Sequence, residues 1–65
     1  SEIPDGLNDS RKMVYKTLLE EKTPLSADQI TVRSGMNVAE VMTALTILEI
    51  KGYVTALPGG RFILK

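Results

Sequence analysis

A mainly α (α+β) fold, three helices followed by a C-terminal two-stranded β-hairpin, is what this chain predicts. Three observations point to it. Apolar residues recur at three- and four-residue spacing in two stretches, 8–21 and 37–51. A dense helix-start signal lies between them at Ser26. After Gly52 the residues change to β-formers arranged around Pro58-Gly59-Gly60.

In chain order, residues 1–7 hold a Pro and a Gly among polar residues and read as a flexible linker, with the folded domain over 8–65. Ser1 in place of an initiator Met suggests a domain excised from a longer chain. Asn8 or Asp9 can cap a first helix running to about Glu21, with Val14, Tyr15, Leu18 and Leu19 as its apolar stripe. Lys22-Thr23-Pro24 ends it, because the residue before a proline is pushed away from helical angles.

The second helix starts on a capping box, Ser26 with Gln29, flanked by Leu25 and Ile30 at the positions of a hydrophobic staple. It stops by Arg33 or Ser34, where Gly35-Met36 turns the chain. Asn37 and Glu40 make a capping-box-like pair for the third helix, and Gly52 closes it in a left-handed conformation. Val38, Val41, Leu45 and Leu48 line its apolar face. Helix, short glycine turn, helix is a helix-turn-helix. Residues 53–57 and 61–64 are the strands of the hairpin, and Pro58 with Gly59 suits a type II turn. A two-stranded hairpin is marginal alone and must lie on the helices. The whole is a winged helix-turn-helix.

Composition narrows the function classes. With no Cys and no His, the chain has no thiol chemistry, none of the usual zinc spacings and no Ser-His or Cys-His nucleophile pair. The carboxylate pairs Glu20-Glu21 and Glu2-Asp5 fall in exposed or flexible segments, so no catalytic residue, metal or cofactor is expected, nor a small-molecule substrate. No apolar run reaches the roughly 20 residues of a membrane span, and a cytoplasmic location is the expectation. Eight basic and eight acidic residues balance to zero, which is unusual for a domain whose sole task is to grip phosphates.

The segment from Pro24 to Leu64 resembles the C-terminal winged-helix domain of the DNA-processing protein DprA (Smf) family. The matching residues are Pro24-Leu25-Ser26 with Asp28, Ser34-Gly35-Met36, Val41 with Leu45 to Gly52, and Leu57-Pro58-Gly59-Gly60-Arg61-Phe62. The Leu-Glu-x-x-Gly-hydrophobic-Val run and the Leu-Pro-Gly-Gly-Arg-aromatic wing together carry the match. The resemblance implies a larger bacterial protein, whose Rossmann-like domain binds single-stranded DNA and loads RecA onto it during natural transformation. It implies no catalytic residue in this part. The fold also resembles Z-DNA-binding winged helices, but their contacting Asn and Tyr fall where Met42 and Thr46 stand, which removes that recognition.

In a helix-turn-helix protein the exposed start of the third helix reaches base edges, typically with Arg, Lys, Asn or Gln. Here the face opposite the apolar stripe holds Ala39, Glu40, Thr43, Thr46, Ile47 and Ile50, with no Arg or Lys. From Ser26 to Gly52, Arg33 and Lys51 stand against Asp28, Glu40 and Glu49, a net of minus one. Ala39, Thr43, Thr46, Ile47 and Ile50 therefore read as a protein-interaction face, for the parent chain's Rossmann-like domain or another protein. The plainer alternative is that Ile50 tucks under the wing and only Ile47 is exposed.

Weak DNA-phosphate contact is the second reading, through Arg11, Lys12 and Lys16 on the first helix and Arg61 and Lys65 on the wing. The first helix has its basic residues at the start and Glu20 and Glu21 at the end, the reverse of what its dipole favours. A solvated face with randomly placed charges is the plainer account of that. On the wing, the plainer account is that Gly59 and Gly60 simply close the hairpin. Tyr53 and Phe62 can face each other across the hairpin or stack on bases; packing of Phe62 over the core is the expectation, and Tyr15 and the three Met residues read as core.

Overall fold

The computed structural model of the protein describes residues 2–65. Its elements are α1 (Asp9–Glu21), β1 (Leu25–Ser26), α2 (Ala27–Ser34), α3 (Val38–Ile50), β2 (Val54–Leu57) and β3 (Arg61–Leu64). The three helices pack on one another, and β2 and β3 lie against α3 and α1. The fold is a small α+β winged helix, as its sequence predicts.

The wing differs from expectation in one respect. It is a three-stranded antiparallel sheet in the order β1-β3-β2, where the sequence suggests two strands. Leu25 and Ser26 pair with Phe62 and Arg61, immediately before Ser26 caps α2. So short a strand carries no periodicity of its own. Its effect is mechanical: it ties the root of the helix-turn-helix to the hairpin, making β3 the central strand and leaving no isolated two-stranded ribbon.

Helix ends are secured as their residues dictate. The Asn8 side chain accepts from the Arg11 N–H at 2.9 Å. At α2 both halves of the capping box form: the Gln29 N–H donates to Ser26 Oγ at 3.1 Å, and the Ser26 N–H to Gln29 Oε1 at 2.9 Å. The staple residues Leu25 and Ile30 are both buried. α3 starts on Asn37, whose Oδ1 accepts from the Glu40 N–H at 2.9 Å.

Its other end is a Schellman motif. The Gly52 N–H donates to the Glu49 carbonyl at 3.0 Å and the Tyr53 N–H to the Leu48 carbonyl at 2.9 Å. Gly52 sits at φ +85°, which only glycine adopts cheaply. α1 stops differently, with Lys22 itself left-handed at φ 58° and its N–H on the Leu18 carbonyl.

The core is Leu7, Val14, Leu18, Leu25, Ile30, Val41, Ala44, Leu45, Leu48 and Val54. Leu7, only 6% exposed, belongs to it, and Ile3 packs against it. The packed unit therefore starts inside the 1–7 segment read as a flexible linker; Ser1 of that segment lies outside the described residues. Leu19 and Tyr15 are half-buried, and Thr17 is buried in their stead, its hydroxyl bonded to the Met13 carbonyl at 2.8 Å. Val38 is 50% exposed rather than core. It is the first residue of α3 and lies at the edge of the inward stripe, while Ala44, nearer its centre, takes the buried place. Met13 and Met42 are likewise exposed, and Met36 alone of the methionines packs against the core.

Candidate functional site

The outward face of α3 is the surface on which this fold ordinarily meets a ligand, so its geometry decides what the domain can do. At 3.6 residues per turn, buried Val41, Ala44, Leu45 and Leu48 define the inward direction. Ala39, Thr43, Thr46 and Ile50 then fall on the opposite stripe, and all four are exposed. Ile50 stands 76% exposed while Ile47 is half-buried on the flank. This reverses the alternative in which the wing covers Ile50. The hairpin instead leaves α3 through the Schellman turn at Gly52, and its strands pack on the inward side.

Chemically the stripe is quiet. The Thr46 hydroxyl already donates to the Met42 carbonyl at 2.9 Å, so that proton is engaged within the helix. Asn37, the one amide near the start, is engaged as the cap. Glu40 stands on one edge of the stripe and Glu49 on the other. Half-exposed Val38 and Met42 extend the apolar character along the Glu49 side. A duplex phosphate backbone would meet carboxylates and methyl groups here.

Of the two cations between Ser26 and Gly52, Arg33 is engaged elsewhere. Its Nε lies 3.0 Å from Glu21 Oε1, joining the ends of α2 and α1. Lys51 remains, exposed at the C-terminal end of α3 on the same edge as Glu40.

Beside the Glu40 edge runs a groove of about 280 Å³ between α3 and the start of α1. Asn8, Ser10 and Arg11 form one wall, and Ala39, Glu40, Thr43 and Ala44 the other. Sequence periodicity could identify Ala39 and Thr43 as outward-facing but not the groove, because it needs the packing of α1 on α3.

The five basic residues do not form one stripe. Arg11 lines that groove, whereas Lys12 faces a second one of about 220 Å³ formed with Ile3, Pro4, Asp5 and Gly6. Lys16 is exposed farther along α1. Arg61 pairs with Ser26 and Leu57 at the tip of the wing. Lys65 is at its foot, its N–H on the Tyr53 carbonyl at 3.0 Å. At about 3.3 Å per residue, Arg61 and Lys65 are separated by roughly 13 Å. Tyr53 does not meet Phe62: its ring packs edge-on against Tyr15 at 6.2 Å, and Phe62 lies in register with Ala56 and Leu25. Phe62 is half-buried on the core, as its position predicts.

Among the described residues no group of three or more acidic, His or Cys side chains could hold a metal, and no helix is long and apolar enough to cross a membrane.

A capped helix-turn-helix closed by a wing, with its third helix turned outward, defines a winged-helix domain. More narrowly, the chain belongs to the DprA winged helix domain family, whose model matches residues 2–60. The match takes in α1 and the segment before it and stops at Gly60, short of the end of the Pro24–Leu64 stretch whose motifs carry the resemblance. No curated protein and no solved structure gives a significant match.

Proposed function

We propose that this domain is a non-enzymatic interaction module of a cytoplasmic DprA-like DNA-processing protein, one that serves natural transformation by loading RecA onto single-stranded DNA. Its outward α3 face contacts protein, either the parent's Rossmann-like domain or another chain. One observation carries the reading: where a helix-turn-helix protein places base-reading cations, this one exposes Ala39, Thr43, Thr46 and Ile50 between two carboxylates. Removing exposed apolar surface from water favours association by roughly 25 cal/mol per Å², whereas a phosphate backbone brought to Glu40 would be repelled.

The test is Ile50→Lys, which alters an exposed side chain and leaves the core intact. Binding of this domain to the remainder of its parent protein, followed by calorimetry, is expected to weaken; unchanged binding removes the parent's Rossmann-like domain as the partner of this face.

A second reading, weak and sequence-independent DNA contact, is supported by the exposure of Lys12, Lys16, Arg61 and Lys65 and by Arg11 in its groove. Their dispersal limits how many phosphates one strand could meet together, and the salt dependence scales with that number. NMR titration with single- and double-stranded oligonucleotides should move only those basic residues, in a salt-sensitive way. Large, sequence-dependent shifts across Asn37 to Thr43 would contradict both readings.

A further inference from the structure

We infer that the occupant of the α3 face is a second copy of the same domain, packed antiparallel about a two-fold axis midway along the helix. The inference rests on the protein-contact reading above and names its partner.

The stripe is complementary to itself when reversed. An isologous two-fold contact requires each feature to meet its counterpart on the other copy. Ile50 is a protruding knob, 76% exposed, at one end of the stripe. At the other end Ala39, the smallest outward residue, and Thr43 border the groove of about 280 Å³ completed by Asn8, Ser10 and Arg11. Knob and hole are eleven residues apart, about 16 Å along the helix. A two-fold axis between Ala44 and Leu45 brings Ile50 of each copy to Ala39 of the other, with Thr43 opposite Thr46 in the middle. The small side chains there let two helix backbones approach closely.

The charges agree with that arrangement. An antiparallel two-fold pairing sets each edge of the helix beside the same edge of its partner. Glu40 and Lys51 occupy one edge, near opposite ends of α3, so Glu40 of each copy lies beside Lys51 of the other. Glu49, level with the second copy's Glu40, is on the far edge, among Val38 and Met42. The one like-charge approach is Arg11 toward Lys51 of the second copy, with Glu40 on the facing wall of the same groove. A parallel two-fold arrangement would instead set each edge beside the opposite one, with Glu40 against Val38 and Met42 of the second copy and without a Lys51 partner.

A contact made by two helices of this length falls short of the roughly 800 Å² per partner of a standard interface. The association is therefore weak, with a dissociation constant between micromolar and millimolar. It becomes consequential where parent chains are already gathered on one strand, because tethering raises the effective concentration.

Sedimentation velocity over a micromolar-to-millimolar dilution series is the test. The wild-type chain should form a concentration-dependent dimer. Ile50→Glu should weaken dimerisation by about tenfold or more, the scale of a buried anchor in an interface, with thermal melting unchanged. Glu40→Lys and Lys51→Glu should each weaken it by about two- to fivefold, as for exposed ion pairs, and the double exchange should restore it. A monomer at millimolar concentration, a dimer indifferent to Ile50→Glu, or a double exchange no better than its singles overturns the proposal. If self-association is absent while Ile50→Lys still weakens binding to the remainder of the parent, the self-pairing falls and the face remains a protein contact. If neither responds, both fall.

Discussion

The two sides of α3 belong to one helix of thirteen residues, yet they answer to different constraints. On the inner side Val41, Ala44, Leu45 and Leu48 are at most 2% exposed and close the core. On the outer side Ala39, Thr43, Thr46 and Ile50 are open to solvent. Folding dictates the first set, since a 65-residue chain without disulfides has little besides its core to hold it. Nothing in the fold requires the second set to lack cations. The outer side of the helix is therefore where function can be read, and it shows small, uncharged and apolar groups.

The largest expected effect lies on the inner side. Leu48→Ala should cost about 2–5 kcal/mol, comparable with the few kcal/mol a core of this size supplies, so denaturant titration should find the variant largely unfolded. The equivalent outer change, Ile50→Ala, should alter stability by no more than about 0.5 kcal/mol. Comparable losses from the two substitutions would erase the distinction between the faces.

Next in size is the turn that keeps the wing off the outer side. Gly52→Ala should cost about 1–2 kcal/mol by forcing an alanine into the left-handed region. Nothing lies within 4 Å of a Cβ added there, so the penalty is conformational rather than steric. Gly52→Asn should accordingly lose less in the same thermal melt. Equal losses would point to crowding instead.

Ser26→Ala removes one bond of the capping box and should cost about 1 kcal/mol by chemical denaturation. It acts on the scaffold alone, so the association behaviour of the outer face should persist in the folded fraction. Smallest is Arg33→Ala. Its ion pair with Glu21 is 39% exposed on both sides, and such pairs contribute about 0.2–1 kcal/mol, less as salt rises. A larger loss, unaffected by salt, would mean that Arg33 contributes through packing.

Much of this molecule was legible in its residues because the signals are local. Ser26 with Gln29, Asn37 and Gly52 act over three or four residues, and each behaves as its chemistry predicts. The turn at Gly59, with φ +89°, is of the same kind. Where the reading failed, the cause was non-local. Val38 and Met42 satisfy helical periodicity, but which apolar residues are covered depends on where α1 and the sheet come to rest. Leu7 lies in a stretch with the composition of a linker and is held by a core assembled from distant segments. The two residues of β1 become a strand only because β3 arrives beside them.

The amino-acid order by itself determined the three helices, their caps, the wing and the missing cations on α3, since each depends on neighbours a few positions away or on residue identity alone. Tertiary structure alone decided that Ile50 rather than Ile47 stands free, that Arg33 is engaged by Glu21, and that the start of α1 completes a groove beside Ala39 and Thr43. Those outcomes depend on the relative placement of whole elements, set by how their side chains fill shared volume, and no short window of the chain contains that information.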